Sequence, residues 1–335
     1  MCRNKEFSFK RTIRQTHKLK KNVSSNEQIE KKFVQSFKHK TAHPMKLTLA
    51  PPQFFQGQGR RDYQQDHYKI SESGRYFIVC DGMGGHLDGE LAAQTVCCAL
   101  AAYFETTPPK DFVITTEYFD KAINYAYDQL DKNDPHPYAF NNMGTTMTCV
   151  YFGDNGALVA HCGDSRIYQI RPKYYLPGNC KTATILETKD HSYVQELIDK
   201  GQITKEQAKT HPDRNIITKC MTANSDRDMP EYNSCSVMDG DYFFLCSDGI
   251  LENITTEILC SVLALKISDE DKIKKIFAHC DNKTRDNFTA VLIHVQDGYL
   301  PAIIKHASPT PAAPYDPEKS KKLIDKINEF LGRKK

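Results

Sequence analysis

The stretch FFLCSDG, residues 243–249, is an uncharged apolar run that ends in an aspartate followed by glycine. The stretch FIVCDG at residues 77–82 repeats this pattern, and Asp286-Asn287 stands directly ahead of the apolar run FTAVLI at residues 288–293. Runs without internal charge predict buried strands, and such strands carry a carboxylate to the end of a sheet. Three aspartates of this kind offer the oxygen ligands that Mg²⁺ and Mn²⁺ prefer over thiolate or imidazole. The sequence therefore predicts metal-assisted chemistry.

Charge is unevenly distributed along the 335 residues. Residues 1–46 carry 13 Lys/Arg against 3 Asp/Glu, which leaves 32 against 39 in the rest of the chain. We interpret residues 1–46 as a basic arm that is disordered or folds only on a partner. A second interpretation stays open, in which translation starts at Met45 and the arm has no function.

The composition predicts a cytoplasmic protein with reduced cysteines. No apolar run approaches the roughly 20 residues of a membrane-spanning helix, and the N-terminus lacks the apolar core of a signal peptide. The 12 cysteines form no Cys-x-x-Cys pair, and several lie inside apolar runs. We therefore expect them to be small core residues in a reducing compartment.

Between residues 47 and 298, β-rich runs alternate with helical patterns, and this segment is the expected catalytic domain. The expected strands are 76–80, 146–152, 157–162, 166–170, 242–246 and 288–295, and the expected helices are 90–104, 117–130, 194–200 and 269–280. The sequence GDNG at 153–156 predicts a hairpin and hence antiparallel pairing. Because strands come in groups with helices between the groups, an α+β fold with packed sheets is favoured over a doubly wound parallel sheet.

The C-terminal part of the chain has a different composition. Residues 299–315 are interpreted as a Pro/Ala linker and residues 316–335 as one amphipathic helix. That helix either packs back on the catalytic domain or docks on a partner, and the sequence leaves both open.

Further motifs surround the three aspartates. In chain order they are RDYQQD at 61–66, DGMGGH at 81–86, GTT at 144–146, GDSR at 163–166, DHS at 190–192, SDG at 247–249 and RDN at 285–287. This ordered set resembles the metal-dependent protein phosphatases of the protein phosphatase 2C family, in particular its bacterial serine/threonine phosphatases. The resemblance covers about residues 54–296.

The resemblance implies a four-layer α-β-β-α sandwich of two antiparallel sheets flanked by helices, with two core Mn²⁺ or Mg²⁺ ions at one end. It assigns the ions to Asp81, which would bridge both, to the Gly82 carbonyl, and to Asp248 and Asp286, with Asp164 at a third, weaker site. It also implies that Asp66 acts through metal-bound water and that residues 189–221 form a flap beside the substrate cleft.

The chemistry of such a centre needs no side-chain nucleophile. Two cations about 3.5 to 4 Å apart lower the pKa of a bridging water towards roughly 7, so hydroxide can attack a phosphate in line. Arg61 carries the planar guanidinium that suits phosphate oxygens. We therefore expect Arg61 and Asp66 to be the catalytic side chains beside the ions.

Two positions depart from the family pattern. Gln64 stands where the family commonly has Asn, and its longer side chain puts the metal affinity in question. Met83 stands where animal members have the histidine that is proposed as general acid. Two alternatives stay open for the general acid. Either His86 protonates the leaving group, or His86 has a structural role and a metal-bound water is the acid.

These features predict a serine/threonine protein phosphatase that opposes a cytoplasmic protein kinase. The expected partners are phosphoserine and phosphothreonine proteins, including a serine/threonine kinase, with no nucleic acid and no membrane span, and the expected state is a monomer. One alternative is a catalytically weak, phosphatase-like module that binds phosphoproteins, which Gln64 would favour. Another is a two-metal nuclease, but the acidic catalytic domain would repel a polyanion.

Overall fold

The computed structural model describes residues 47–84, 87–136 and 143–300. The interpretations of residues 1–46, 316–335 and His86 concern residues outside these ranges. The expected linker, 299–315, lies outside them except for its first two residues, Tyr299 and Leu300, which instead form a strand with Leu300 buried.

Fifteen strands are present in the described ranges, and every pairing between them is antiparallel. They are β1 Thr48–Leu49, β2 Gln53–Gly57, β3 Asp66–Ile70, β4 Tyr76–Met83, β5 Gly144–Thr145, β6 Met147–Gly153, β7 Gly156–Cys162, β8 Arg166–Ile170, β9 Thr184–Glu187, β10 Met221–Thr222, β11 Glu231–Cys235, β12 Val237–Met238, β13 Tyr242–Cys246, β14 Phe288–Asp297 and β15 Tyr299–Leu300. The first sheet has the order β1-β14-β13-β8-β9, with β2 also on β14, and the second has the order β10-β5-β4-β6-β7-β11, with β3 also on β4. Strands β12 and β15 pair with each other.

Seven α-helices lie between the groups of strands in the described part of the chain. They are α1 Leu87–Thr106, α2 Thr116–Asn133, α3 Tyr193–Asp199, α4 Lys205–Ala208, α5 Asp248–Leu251, α6 Thr256–Leu263 and α7 Asp269–Cys280. Short 3₁₀ turns occupy Lys110–Phe112, Pro172–Tyr174 and Cys180–Thr182. Helix α7 begins where the sequence predicted, because the Ser268 hydroxyl accepts the backbone N–H of Asp271 at 3.1 Å.

Alternating side chains of the strands divide the core into layers. On β4, Ile78 packs with helices α1 and α2, while Phe77 belongs to a second cluster that includes Phe243 of the other sheet. On β13, Phe244 instead packs with helices α6 and α7. Both faces of these strands are therefore buried, which explains why the sequence runs carry no charge. The predicted α+β sandwich of two antiparallel sheets flanked by helices is confirmed.

The six expected strands are present, with one boundary that matters for function. Strand β4 continues through Met83, so Asp81 and Gly82 lie inside the strand, whereas the sequence interpretation placed them beyond its end. The extension occurs because Gly82 and Met83 pair with Thr145 and Gly144 of β5. Strands β2, β3, β9 and β11 were not predicted, because their polar residues conceal the alternation that marks a strand.

Two smaller expectations are also met. The GDNG hairpin joins β6 to β7 with Gly153 opposite Gly156. The described cysteines are free thiols, and most of them are buried. Among the described residues, no helix combines the length and the hydrophobicity that a membrane crossing requires.

Candidate metal centre

The predicted site residues come together at one cleft of about 560 Å³, where the two sheets meet. Its lining includes Arg61, Asp81, Gly82, Asp164, Asp248 and Asp286. Asp66 lies beneath the cleft, with 3% of its surface exposed. Residues that are up to 225 positions apart in sequence thus contribute to one surface.

Asp66 and Asp81 come from neighbouring strands of the second sheet. They are directly opposite each other in the β3–β4 register, so their Cβ atoms are about 4.5 to 5.5 Å apart on the same face. Like charges at opposite positions destabilise a sheet. A pair of this kind is therefore expected where a cation offsets the repulsion.

The other sheet and the crossover between the sheets supply the remaining carboxylates. Asp248 follows β13 and is the first residue of α5, and Asp286 lies two residues before the adjacent strand β14. Asp164 lies on the connection that carries the chain from β7 in the second sheet to β8 in the first. The two-sheet topology therefore brings all five aspartates to the same end of the sandwich.

Burial, and then repulsion from neighbouring carboxylates, raises the pKa of four of these carboxyls. Burial, followed by the charges of neighbouring aspartates, raises the pKa of Asp81 and of Asp248 well above the usual range. Burial also raises the pKa of Asp66 to about 6. Burial and the negative charge of Asp190 raise the pKa of Asp164 to about 7. Each group is more stable protonated than it would be in water, as expected where several carboxylates share one buried site.

Two carboxylate oxygens in the site are buried and accept no hydrogen bond from the described residues. They are Oδ1 of Asp66 and Oδ1 of Asp248. A buried acceptor without a partner costs roughly 1 to 3 kcal/mol. Hard divalent cations bind such carboxylate oxygens. The residues present therefore fit a Mg²⁺ or Mn²⁺ centre.

Gly82 is required by the close approach of strand β4 to helix α1. A Cβ at Gly82 would lie 2.0 Å from the backbone oxygen of Gly89, so any side chain would force the helix away. The Gly82 N–H donates to the Gln65 carbonyl at 3.1 Å. These contacts fix the backbone whose carbonyl the family resemblance assigns to an ion.

Two buried polar residues organise the site, and sequence reasoning gave neither a role. Ser247 donates to Asp66 Oδ2 at 2.7 Å and accepts the Thr289 N–H at 2.9 Å, so it links the carboxylate to strand β14. Asn287 accepts the Gln65 N–H at 2.8 Å and donates to the carbonyls of Gln58 and Tyr63, both at 2.9 Å. The available signal was a hydroxyl or an amide placed directly between an aspartate and an apolar run.

Gln64 does not displace the carboxylates. Its Oε1 accepts the Asp66 N–H at 2.9 Å, and its Nε2 donates to the Gly57 carbonyl at 3.0 Å. The longer side chain therefore connects the end of β2 to the start of β3. The feature that favoured a weak, phosphatase-like module instead helps to hold Asp66.

Arg61 contacts one of the predicted metal ligands. Its Nη2 lies 2.5 Å from Asp286 Oδ2, with 56% of the Arg61 side chain exposed. This contact is the main cause that raises the pKa of Arg61 above its ordinary value. Arg61 is therefore shared between a carboxylate and the open cleft, where a phosphate could meet it.

The flap contributes residues that the sequence did not assign. Arg214, Asn215 and Ile217, all within residues 189–221, line the cleft. The base of the flap is held by the His191 N–H, which donates to the Gly163 carbonyl at 2.9 Å. The predicted flap thus borders the cleft that contains the aspartates.

A second group of potential ligands, His161, His191 and Glu231, has atoms within 4.8 Å of one another. The two imidazole rings are stacked, with centroids 4.5 Å apart and an angle of 11° between their planes. A metal ion binds an imidazole nitrogen through a lone pair that lies in the plane of the ring. Because the two rings are stacked and nearly parallel, one ion cannot lie in both ring planes. Moreover, the His191 Nδ1 accepts the Gly163 N–H, which leaves its proton on Nε2, facing Glu231. This group is a structural contact at the base of the flap.

Comparison with known proteins gives consistent matches. Residues 56–290 match the family model described as protein phosphatase 2C. Protein phosphatase PhpP of Streptococcus pneumoniae is 32% identical over 248 residues, which cover 72% of this chain and 95% of PhpP. Among solved structures, serine/threonine phosphatase Stp1 from Staphylococcus aureus matches with a TM-score of 0.63 at 29% identity, covering 77% of this chain and 100% of that chain. The catalytic domain of phosphatase PstP in complex with two manganese ions matches with a TM-score of 0.60 at 26% identity, covering 74% and 99%.

Proposed function

Because this chain belongs to the protein phosphatase 2C family and is a serine/threonine protein phosphatase, we propose that it hydrolyses phosphoserine and phosphothreonine at a two-metal centre and so opposes a cytoplasmic protein kinase. The observation that carries the proposal is the convergence of five aspartates, four of them with a raised pKa, on one cleft that also contains Arg61.

The ligand assignment rests on the donors that face the cleft. We propose that Asp81 and the Gly82 carbonyl from one sheet, with Asp248 and Asp286 from the other, hold two core ions. Asp164 is the proposed ligand of a third, weaker ion. When bound, Mn²⁺ or Mg²⁺ ions supply a nucleophile at neutral pH by lowering the pKa of water, and they offset charge on the phosphoryl group.

Asp66 is placed to hold a water molecule. Its Oδ2 is fixed by the Ser247 hydroxyl, whereas its buried Oδ1 is unpaired among the described residues. A carboxylate oxygen accepts hydrogen bonds from water. We propose that Oδ1 orients water in the cleft.

Arg61 is placed to bind the substrate phosphate. The Nη2 that pairs with Asp286 leaves the rest of the guanidinium fork exposed to the cleft. Arginine forks bind phosphate oxygens in a bidentate manner. Arg61 therefore orients the phosphate above the aspartates, and its contact with Asp286 couples that orientation to the ligand set.

A direct test is hydrolysis of a phosphothreonine peptide by the full chain after chelation and after restoration of Mn²⁺. We expect no turnover in excess EDTA and recovery with Mn²⁺, because no other described group in the cleft is placed to generate the nucleophile. Full activity in EDTA that Mn²⁺ does not change would refute the two-metal mechanism. Turnover of a small phosphomonoester without turnover of any phosphopeptide would refute the protein substrate.

A further inference from the structure

The rim of the cleft carries a charge that the proposed mechanism does not use. Three arginines line the cleft: Arg61, Arg214 and Arg285. Arg61 is assigned to the scissile phosphate and Arg214 belongs to the flap. Arg285 contributes a third guanidinium, on the rim beside the ligand Asp286.

The backbone of Arg285 is fixed while its side chain extends into solvent. Its N–H donates to Glu252 Oε2 at 3.0 Å, and its carbonyl accepts the Arg60 N–H at 3.0 Å. Its Nε lies 3.6 Å from the same Glu252 oxygen, and 69% of the side chain is exposed. The Nη groups therefore remain available on an arginine whose base is held on both sides.

The turn that carries Arg61 is packed against the same backbone. Gly59 has φ of +61°, and a Cβ there would lie 2.1 Å from the carbonyl oxygen of Asp286. Only glycine allows this approach. Together with the Asn287 bonds to this loop, the contact holds the backbone segments that carry Arg61 and Arg285 next to each other on one rim.

We propose that Arg285 forms a subsite for a second anionic group of the substrate, a carboxylate or a second phosphate near the phosphoresidue that is cleaved. This subsite rests on the proposed function, since it needs a phosphoprotein bound in the cleft. An extended peptide advances about 3.3 to 3.6 Å per residue, so a side chain two positions away lies roughly 7 Å along the chain. Arg285 starts one residue from the proposed ligand Asp286, and its side chain is long and 69% exposed, which suits a group at that spacing.

The guanidinium of Arg285 favours an anion at this position. Arg285 shares one edge with Glu252, which is 26% exposed, and the Nη edge is the one suited to a bidentate oxyanion. A lysine or arginine of the substrate would meet a like charge there. The substrate class is therefore a phosphoprotein segment with acidic or multiply phosphorylated surroundings.

The experiment uses the full chain with Mn²⁺ and peptides that share one phosphothreonine. The residue two positions before or after it is alanine, glutamate or a non-hydrolysable phosphonate. The readout is the ratio of kcat/KM for an anionic peptide to kcat/KM for the alanine peptide, so a general change in activity cancels. We expect a ratio of about fivefold in the wild type, because exposed ion pairs contribute modestly, and a smaller ratio at high salt.

Arg285→Gln should bring the ratio close to one, and Arg285→Lys should retain part of it. The matched control is Lys275→Gln, which removes one positive charge from α7, in a separate groove lined by Val262 and Leu265. This control should keep the wild-type ratio. Preference for the phosphonate peptide alone identifies a second phosphate, and preference for both anionic peptides identifies a general anion subsite.

A wild-type ratio of one, or a ratio that Arg285→Gln leaves unchanged, overturns the subsite while the proposed function stands. If no phosphopeptide is hydrolysed at all, the proposed function fails and the subsite fails with it. The alanine peptide distinguishes these two failures, because it is hydrolysed when only the subsite fails and is not hydrolysed when the proposed function fails.

Discussion

Strand β13 has an aspartate at each end, and the two carboxylates are in opposite situations. Asp241 precedes the strand and is buried, with Oδ1 2.6 Å from Arg171 Nε and Oδ2 accepting from Arg171 Nη2 at 2.9 Å and Gln169 Nε2 at 2.9 Å. Asp248 follows the strand, and its Oδ1 is buried without a partner in the described part of the protein. One carboxylate is fully neutralised by the fold, whereas the other is surrounded by more carboxylates.

The difference separates a structural charge from a functional one. A buried charge is tolerated when hydrogen bonds and an opposite charge surround it, as they do at Asp241. Among the described residues, the clustered aspartates have less compensation, namely the Arg61 contact with Asp286 and the Ser247 bond to Asp66. Their repulsion therefore reduces the stability of the fold until cations bind. Burial differs as well, because Asp241 is fully buried whereas Asp248 is partly exposed and lines the cleft.

The largest expected effects come from exchanging each carboxylate for an amide. Asp241→Asn leaves the Arg171 charge uncompensated and should lower the free energy of unfolding by roughly 3 to 5 kcal/mol. Asp248→Asn should leave stability equal or higher in the metal-free protein, because it removes repulsion, while it lowers kcat by about a thousandfold, several kcal/mol in the transition state. Chemical denaturation in EDTA and phosphopeptide kinetics measure the two quantities.

The reverse pattern would break the comparison. If Asp248→Asn were the destabilising variant and Asp241→Asn the inactive one, the buried ion pair would be the functional group.

A second test sharpens the comparison within the site. Asp286→Ala removes a proposed core ligand and should lower the affinity of the tight metal sites together with nearly all turnover. Asp164→Ala should leave the tight sites bound and slow turnover by about ten- to a hundredfold, with the loss depending on Mn²⁺ concentration. Calorimetric metal titration of both variants measures the affinities. Loss of the tight sites in Asp164→Ala with their retention in Asp286→Ala would show that the two assignments are exchanged.

The smallest expected effect is a dependence of metal-free stability on pH. The folded-state pKa values of about 6 for Asp66 and about 7 for Asp164 exceed the ordinary value, so the folded protein binds these protons more tightly than the unfolded chain. Stability in EDTA should therefore fall as the pH rises from about 4 to 7. In Asp66→Asn, the fall in the free energy of unfolding over this pH range should be smaller by roughly 2 kcal/mol, because the substitution removes one of the two titrating groups.

Denaturation midpoints in EDTA at several pH values measure this slope. With excess Mn²⁺ the slope should reverse, because the ions bind deprotonated carboxylates. An Asp66→Asn slope equal to that of the wild type would mean that Asp66 does not carry the buried proton.

Part of the site could be predicted from single stretches of sequence. Asp81, Asp248 and Asp286 were singled out because each lies beside an uncharged run, and burial on both faces of a strand requires such runs. The order of the motifs then indicated the family and its sandwich fold. These features are local in sequence, so they needed no knowledge of which strands are neighbours.

The roles of Ser247, Asn287 and Arg285 depended on the tertiary structure. Ser247 acts on Asp66 across 181 positions, and Asn287 holds a loop 222 to 229 positions away. The Arg61 contact with Asp286 likewise joins residues that are 225 positions apart. Such pairings are set by how the sheets stack, so no local pattern encodes them. The sequence determined which residues could bind cations, and only the stacking of the two sheets decided which side chains hold them in place and which charge remains on the rim.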